Sequence, residues 1–114
     1  MLLIVPDLFF LTRIRATAVT LGVEVAEATP ETALAACAAG HPDLIVVDLR
    51  AAGEAIALAR ALKAAPAARE IPIVGFYSHV EGATRAAALA AGVDHVMPRS
   101  AFTARLADLL RGTL

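Results

Sequence analysis

The stretch Leu44-Ile45-Val46-Val47-Asp48 decides the fold of this chain. Its aliphatic, mostly β-branched residues predict a strand that is buried on both faces, as in a parallel sheet. A second run, Leu2-Leu3-Ile4-Val5-Pro6-Asp7, has the same character and also ends in an aspartate. The carboxyl ends of the strands form the binding crevice of an open α/β sheet. We therefore expect Asp7 and Asp48 to face each other across one pocket.

Strands and helices are predicted to alternate five times along the chain. The strands are expected at about residues 1–5, 23–28, 44–48, 71–77 and 95–97. The helices are expected at about 8–21, 30–39 and 54–65, then from a capping box at 78–81 to residue 91, and last around Phe102, Leu106 and Leu109. This alternation is typical of successive βα units.

Local signals mark several helix ends. Asp7 can cap the first helix, and Gly22 can end it. Thr29-Pro30-Glu31 combines a capping hydroxyl, a proline at the first helical position and an acid in the first turn, so it predicts the start of the second helix. Ser78 and Glu81 form a capping box before the alanine-rich fourth helix.

Five βα units within 114 residues predict a single domain, 1–114, with a flavodoxin-like (βα)5 fold. This is a doubly wound, parallel, five-stranded sheet with strand order 2-1-3-4-5 and a crevice between strands one and three. A β/α barrel would need roughly twice the length.

The composition excludes several classes of function. The chain is 59% hydrophobic and 18% charged, with a formal charge of −1 and no basic cluster, which argues against nucleic acid as a partner. No apolar run reaches the ~18–20 residues of a membrane span, and no basic segment precedes the apolar start as in a signal peptide. Cys37 is the only cysteine, so no internal disulfide can form. We expect a soluble, cytoplasmic protein that is not an enzyme.

Four segments carry a resemblance to a known family. They are Val5-Pro6-Asp7, the run from Pro42 to Leu49, Ile71-Pro72-Ile73-Val74, and Gly92-Val93-Asp94. Over essentially its full length, the chain resembles the receiver (CheY-like) domain of two-component response regulators. The resemblance implies that the aspartate after strand three accepts a phosphoryl group. It also implies a pair of acids that hold Mg²⁺ after strand one, a hydroxyl after strand four and a lysine after strand five.

The acids of this pattern are only partly present. Asp48 matches the phosphoacceptor and Asp7 the second acid of the pair, but Pro6 stands where the first acid is expected. The backbone carbonyl of Arg50 is a third candidate ligand. Mg²⁺ prefers several oxygen ligands in octahedral geometry, so Asp7, Asp48 and Arg50 make a weak metal site. Asp7 as a simple helix cap, and Asp48 as an acid paired with Arg50 or Arg99, are open alternatives.

The switch positions also depart from the family. Tyr77 falls where the hydroxyl is expected, although Ser78 could substitute for it if it is not committed to the capping box. Val96 takes the place of a common switch aromatic, and Arg99 that of the lysine. An arginine keeps the positive charge and can hold a carboxylate through two hydrogen bonds. These departures resemble those of degenerate receivers, the pseudo-receivers.

Two functions follow as expectations. The first is a phosphorylation-independent module for protein–protein interaction in bacterial signal transduction, in which Arg99 neutralises Asp7 or Asp48 and no cofactor is required. It would bind a signalling partner, or itself through helix four, strand five and helix five. The alternative is a phosphorylatable single-domain response regulator that accepts phosphate on Asp48 from a histidine kinase.

Overall fold

A computed structural model describes residues 1–50, 52–78 and 82–112. Its strands are β1 (Leu2–Ile4), β2 (Ala26–Glu27), β3 (Ile45–Asp48), β4 (Ile73–Tyr77) and β5 (His95–Pro98). Its helices are α1 (Leu8–Leu21), α2 (Ala33–Gly40), α3 (Ala52–Ala64), α4 (Gly82–Ala91) and α5 (Arg99–Leu110). Within this part of the chain, no helix is long and apolar enough to cross a membrane.

The strands form one parallel sheet in the order β2-β1-β3-β4-β5, so the predicted flavodoxin-like fold is confirmed. Ile4 of β1 lies opposite Val47 of β3, and Asp48 lies opposite Phe76 of β4. The chain order reverses between β1 and β3, which is where a doubly wound sheet opens its crevice. Asp7 and Asp48 therefore lie beside this opening.

The helices cover both faces of the sheet. Helices α2, α3 and α4 pack on one face, around Ile45 and Leu62, while α1 and α5 pack on the other. The second layer contains an aromatic cluster of Phe10, Phe76 and Phe102, whose ring centroids lie 5.0 to 5.9 Å apart. Tilted and offset rings at such distances attract each other beyond the effect of burial.

Helix α1 has the predicted bounds and the predicted caps. The carboxylate of Asp7 accepts hydrogen bonds from the amides of Phe9 and Phe10, which would otherwise be unpaired at the helix start. Gly22 ends the helix with φ of 69°, in the left-handed region that glycine enters without strain. The capping role of Asp7 is confirmed.

The second βα unit was predicted too long. Only Ala26 and Glu27 form β2, and both are exposed, because this edge strand pairs with β1 alone. Helix α2 begins at Ala33, not at Pro30. The amide of Thr29 donates a hydrogen bond of 2.9 Å to the hydroxyl of Thr32, which holds residues 29–32 in a turn before the helix.

Other boundaries shift by one to three residues. β4 begins at Ile73 because Pro72 has no amide hydrogen to donate to a neighbouring strand. β1 is shorter than predicted, β5 gains Pro98, and α3 begins at Ala52. Half of the predicted capping box, Glu81, lies outside the described residues.

Candidate functional site

Asp7 lies at the carboxyl edge of the sheet, directly before α1. Its Oδ1 is used by the helix cap, while its Oδ2 faces two arginines. Oδ2 accepts hydrogen bonds of 3.3 Å from Nη2 of Arg50 and of 3.3 and 3.4 Å from the two terminal nitrogens of Arg99. Asp7 was predicted either as a helix cap or as a metal ligand. In the structure it caps α1 and forms ion pairs with Arg50 and Arg99.

Asp48 is the buried acid of the crevice, and its side chain is only 4% exposed. The backbone amide of Arg50 donates a hydrogen bond of 2.9 Å to its Oδ1, which turns the chain sharply after β3. Its Oδ2 lies 4.0 Å from Nη2 of Arg99, beyond hydrogen-bond distance. Of the two predicted partners of Asp48, Arg50 thus contacts it through the backbone and Arg99 through charge alone.

Arg99 is the first residue of α5, and its side chain returns over the sheet edge. Its guanidinium carbon lies 4.3 Å from the ring centroid of Phe10 and 5.6 Å from that of Phe76. Aromatic faces attract cations at such distances. The rings of Phe10 and Phe76 therefore form the surface on which the guanidinium of Arg99 packs, beside Asp7 and Asp48.

Two buried atoms of this cluster lack hydrogen-bond partners among the described residues. They are Oδ2 of Asp48 and Nε of Arg99. Buried polar atoms are nearly always paired in folded proteins. Two exceptions in one place indicate that the crevice can form further hydrogen bonds with a ligand.

The pKa of Asp7 is lowered from its ordinary value. The hydrogen bond from the amide of Phe10 is the largest cause, burial opposes it, and the guanidinium of Arg99 adds to the lowering through hydrogen bonding and charge. The ionised form is therefore favoured in the folded protein.

The residues present do not fit Mg²⁺. Both oxygens of Asp7 already accept hydrogen bonds, one from the helix cap and one from two arginines, and Oδ1 of Asp48 accepts another. Pro6 offers no side-chain oxygen, and no group of three or more acids, histidines or cysteines comes together within the described ranges. The guanidinium of Arg99 supplies the positive charge that a divalent cation would bring.

Of the four predicted switch positions, Arg99 is the one brought against the acids. Val96 is buried, pairs with Gly75 of β4 and belongs to the core on the α2–α4 face. Tyr77 packs against the same core, and Ser78 is exposed after β4. The roles of these residues in switching remain predictions.

Two features of the site were missed by sequence reasoning. The side chain of Arg50 reaches Asp7, whereas Arg50 was predicted as a partner of Asp48 and, through its backbone carbonyl, as a metal ligand. Phe10 lies in the core between the sheet and α1 and α5, and its ring also contacts the guanidinium of Arg99. The two phenyl rings directly after Asp7 were a usable signal, because aromatic faces attract a cation such as the arginine expected beside that acid.

Comparison by sequence finds no family model and no curated protein that matches the chain. By structure, the chain is similar to receiver domains at low identity. A response regulator from Hahella chejuensis is 18% identical with a TM-score of 0.82, covering 96% of this chain and 90% of that one. The chemotaxis protein CheY4 of Vibrio cholerae is 17% identical with a TM-score of 0.81, covering 99% and 96%.

A third similar structure is the receiver domain of the sensor histidine kinase PA1611 from Pseudomonas aeruginosa PAO1. It is 22% identical with a TM-score of 0.80, covering 97% of this chain and 93% of that one. In that protein a magnesium ion is coordinated in the active-site cleft. This chain therefore has the receiver fold over nearly its whole length, while its cleft holds a guanidinium against Asp7.

Proposed function

We propose that this chain is a phosphorylation-independent protein–protein interaction module that uses the receiver fold in two-component signal transduction. The observation that carries the proposal is the guanidinium of Arg99, which rests on Phe10 and contacts Asp7 at 3.3 Å. An arginine is always charged in proteins, so this cation does not leave by losing a proton.

The position of Arg99 opposes phosphoryl transfer to Asp48. Transfer depends on a metal ion that neutralises the charge developing on the phosphoryl oxygens. Here the acids that would hold such an ion are engaged by Arg50 and Arg99. A phosphoryl donor would have to displace these ion pairs, and the described residues form no metal site that could replace their charge neutralisation.

Helix α1 offers a surface suited to a protein partner. Leu8, Phe9 and Val19 are 73%, 88% and 79% exposed, more than any other large hydrophobic residue in the described part of the chain. With Thr12 and Ala16 they form the α1 outer face, because residues three or four apart share one side of a helix. Exposed apolar patches of this kind mark interaction sites.

The threonines make this face more apolar than the sequence suggests. The hydroxyl of Thr12, within the face, donates to the carbonyl of Leu8 at 2.8 Å, and that of Thr20, one turn after Ala16, donates to the carbonyl of Ala16 at 3.1 Å. Hydroxyls bound to their own helix are not available to a partner. The α1 outer face therefore presents mainly methyl groups and one phenyl ring.

The charges of α1 indicate the chemistry of the partner. Arg13 and Arg15 are its only charged residues, and both lie at the edges of the outer face. Arg15 is paired with Glu27 of β2, so Arg13 is the cation of α1 that has no ion-pair partner in the described ranges. Two copies packed through this face would bring arginines together without any acid from α1. A partner helix with an apolar stripe flanked by acids fits better, since complementary charges favour the correct partner.

The surface of α4, β5 and α5 is a second candidate for self-association. Helix α4 exposes several alanines, together with Leu89 at 39%. The alanine side chains are small, and Leu89 is less exposed than Leu8, Phe9 and Val19 of α1. We therefore place the principal docking surface on α1.

The phosphorylatable alternative is favoured by one observation. Oδ2 of Asp48 is an acceptor without a hydrogen-bond partner among the described residues, at the end of β3 where receivers are phosphorylated. Intact-mass measurement after treatment with acetyl phosphate and Mg²⁺ separates the two functions. We expect no phosphoryl gain, with an active receiver domain as positive control. A gain that Asp48→Asn abolishes would establish the alternative.

The docking surface can be tested with a designed helical peptide that has a leucine stripe flanked by glutamates. We expect binding that weakens at least about tenfold in Phe9→Ser and Val19→Ser. The matched control is Leu34→Ser, which removes a side chain that is 40% exposed on α2. A peptide with lysine flanks should bind more weakly. Equal binding of both peptides, or an equal loss in Leu34→Ser, would contradict docking on α1.

A further inference from the structure

A pocket of about 620 Å³ opens beside the acidic crevice, between the first turns of α1 and α3 and the β2–α2 connection. Its walls are mostly aliphatic and include Ile4, Val47, Ala55, Leu58, Leu8 and Pro30. Small-molecule sites typically have volumes of about 300–1,000 Å³ and apolar walls with a few polar groups. They also form where the strand order of an α/β sheet reverses, as it does here.

The pocket carries an excess of negative charge. Three acids line it, Glu27, Asp48 and Glu54, against one base, Arg50. Glu27 is paired with Arg15, Arg50 is paired with Asp7, and Asp48 lies 4.0 Å from Nη2 of Arg99, so the excess charge comes from Glu54. Glu54 is exposed and forms no ion pair with any residue in the described ranges. A ligand with a positive charge is therefore favoured over a neutral or anionic one.

Asp48 provides a buried hydrogen-bond acceptor at this pocket. Its side chain is 4% exposed, and its Oδ2 is a buried acceptor that no described group satisfies. A donor from a ligand would satisfy it, and hydrogen bonds between charged groups are about twice as strong as neutral ones.

We propose that this pocket binds a small hydrophobic amine. The apolar body packs against Ile4, Val47 and Leu58, and the protonated amino group lies between Asp48 and Glu54. The proposal does not rest on the interaction function. Leu8 belongs to both the pocket wall and the α1 outer face, but the amine is held by the charges of Asp48 and Glu54, which are not part of that face.

Three probes with one apolar body test the chemical class. They are 4-phenylbutylamine, 4-phenylbutan-1-ol and 4-phenylbutyric acid, titrated into ¹⁵N-labelled protein. We expect the amine to shift the amide signals of residues around the pocket, with an affinity at least about tenfold higher than that of the acid. The alcohol, which has a donor but no charge, should fall between them.

Two variants locate the site. Ala55→Leu narrows the pocket and should abolish binding of the amine, whereas Ala86→Leu, on the exposed side of α4, should leave it unchanged.

Glu54→Gln removes an exposed charge without disturbing packing. It should weaken binding of the amine at least about threefold, with little effect on binding of the alcohol. Its control is Glu70→Gln, where the acid is 89% exposed and lies outside the pocket lining. Thermal unfolding checks that Ala55→Leu remains folded.

The proposal is overturned if the acid binds as tightly as the amine, or if no probe shifts the signals of pocket residues at millimolar concentration. It is also overturned if Glu54→Gln and Glu70→Gln weaken the amine equally. None of these three results measures docking at the α1 outer face or phosphorylation of Asp48, so the proposed function is tested separately.

Discussion

Two clusters of charged side chains lie at opposite edges of the same sheet. At the carboxyl edge, Asp7, Asp48, Arg50 and Arg99 meet beside the crevice. At the amino edge, Asp94 receives hydrogen bonds from the amide of Ile73 at 2.7 Å and from Nζ of Lys63 at 3.0 Å. Both clusters join distant elements of the chain, but their hydrogen bonding differs.

The amino-edge cluster is a brace. Lys63 also donates to the carbonyl of Ile71 at 3.1 Å, so it ties α3 to the segment that enters β4. Gly92 lets the lysine stem pack closely, since its φ is 111° and a Cβ there would lie 2.5 Å from Cγ of Lys63. Neither Lys63 nor Asp94 has a buried side-chain atom without a partner in the described part of the structure.

The hydrogen bonding of the carboxyl-edge cluster is less complete. In this respect a candidate binding site differs from a cluster that only stabilises the fold. Two of its buried atoms, on Asp48 and Arg99, lack partners within the described residues. Incomplete pairing costs stability, and in natural proteins it is tolerated mainly where function requires it. The comparison indicates that Asp48 and Arg99 interact through charge alone, although Arg99 also forms hydrogen bonds with Asp7, whereas Lys63 and Asp94 at the amino edge are joined by a hydrogen bond.

The largest effect expected from this difference is at Arg99. Arg99→Met keeps much of the side-chain volume but leaves the buried Asp48 without a cation, and should cost about 2–3 kcal/mol of unfolding free energy. Lys63→Met should cost about 1 kcal/mol, because its partner Asp94 is 42% exposed and can be hydrated. Urea unfolding of both variants measures the two losses of unfolding free energy. Equal losses would contradict the predicted difference between the two clusters.

A double-mutant cycle sharpens this first prediction. Asp48→Ala alone should cost about 1–2 kcal/mol, because it leaves the guanidinium of Arg99 facing one acid fewer. In the Arg99→Met background the same change should be neutral or stabilising, since it removes an unpaired buried charge. A rise in melting temperature for Asp48→Ala alone would show that the arginine does not hold the crevice.

The next effect is at the amino edge. Asp94→Ala removes the acceptor of the Ile73 amide and of Lys63, and should lower stability by about 1–2 kcal/mol. Asp108→Ala is the matched control, because its ion pair with Arg111 is exposed and should contribute less than about 0.5 kcal/mol. The brace is contradicted if thermal or urea unfolding gives both variants the same stability.

The fold was predictable because its signals are local and repeated. The buried run that ends at Asp48 and the caps at Asp7 and Gly22 determine elements whose order leaves few possible topologies. The second βα unit was not predictable in detail. The side chain of Thr32 delays α2, and an edge strand has too few partners for its pattern to determine its length.

The candidate site was predictable in its members but not in its contacts. The resemblance to receivers placed Arg99 near Asp7 and Asp48, but the surface formed by Phe10 and Phe76 depends on how α1 and α5 pack together. The role of Asp94 was missed, although it directly precedes β5 and so lies beside the start of the neighbouring strand β4, where the amide of Ile73 needs an acceptor. Long-range hydrogen bonds of this kind have no short-range pattern in a sequence.

A smaller effect is expected from the titration of Asp7. Its pKa in the folded protein is lowered below the ordinary value of 3.8, first by the amide of Phe10 and then by Arg99. Its ionisation therefore stabilises the fold above about pH 4, and this contribution is lost as the pH falls through the lowered pKa. We expect the melting temperature to fall on the acid side, and to fall less steeply in Asp7→Asn, which can still cap α1. The exposed Asp43→Asn should retain the slope of the original protein.

The smallest effect is expected from a phosphoryl mimic at the crevice. Receiver switching, as the resemblance implies, links phosphate at the strand-three acid to movement of the strand-four hydroxyl and the strand-five aromatic. Here Tyr77 packs against the core and Val96 is buried within it, so a ligand at Asp48 has no evident second state to favour.

A ligand with equal affinity for all states shifts no equilibrium, however tightly it binds. Beryllofluoride with Mg²⁺ should therefore change self-association, or binding of the glutamate-flanked peptide to the α1 outer face, by less than about threefold. Light scattering and peptide titration, each with and without the mimic, make the measurement, and Asp48→Asn is the control. A clear shift that this substitution abolishes would mean that the crevice and α1 are coupled, and that the cluster at the carboxyl edge works as a switch despite Arg99.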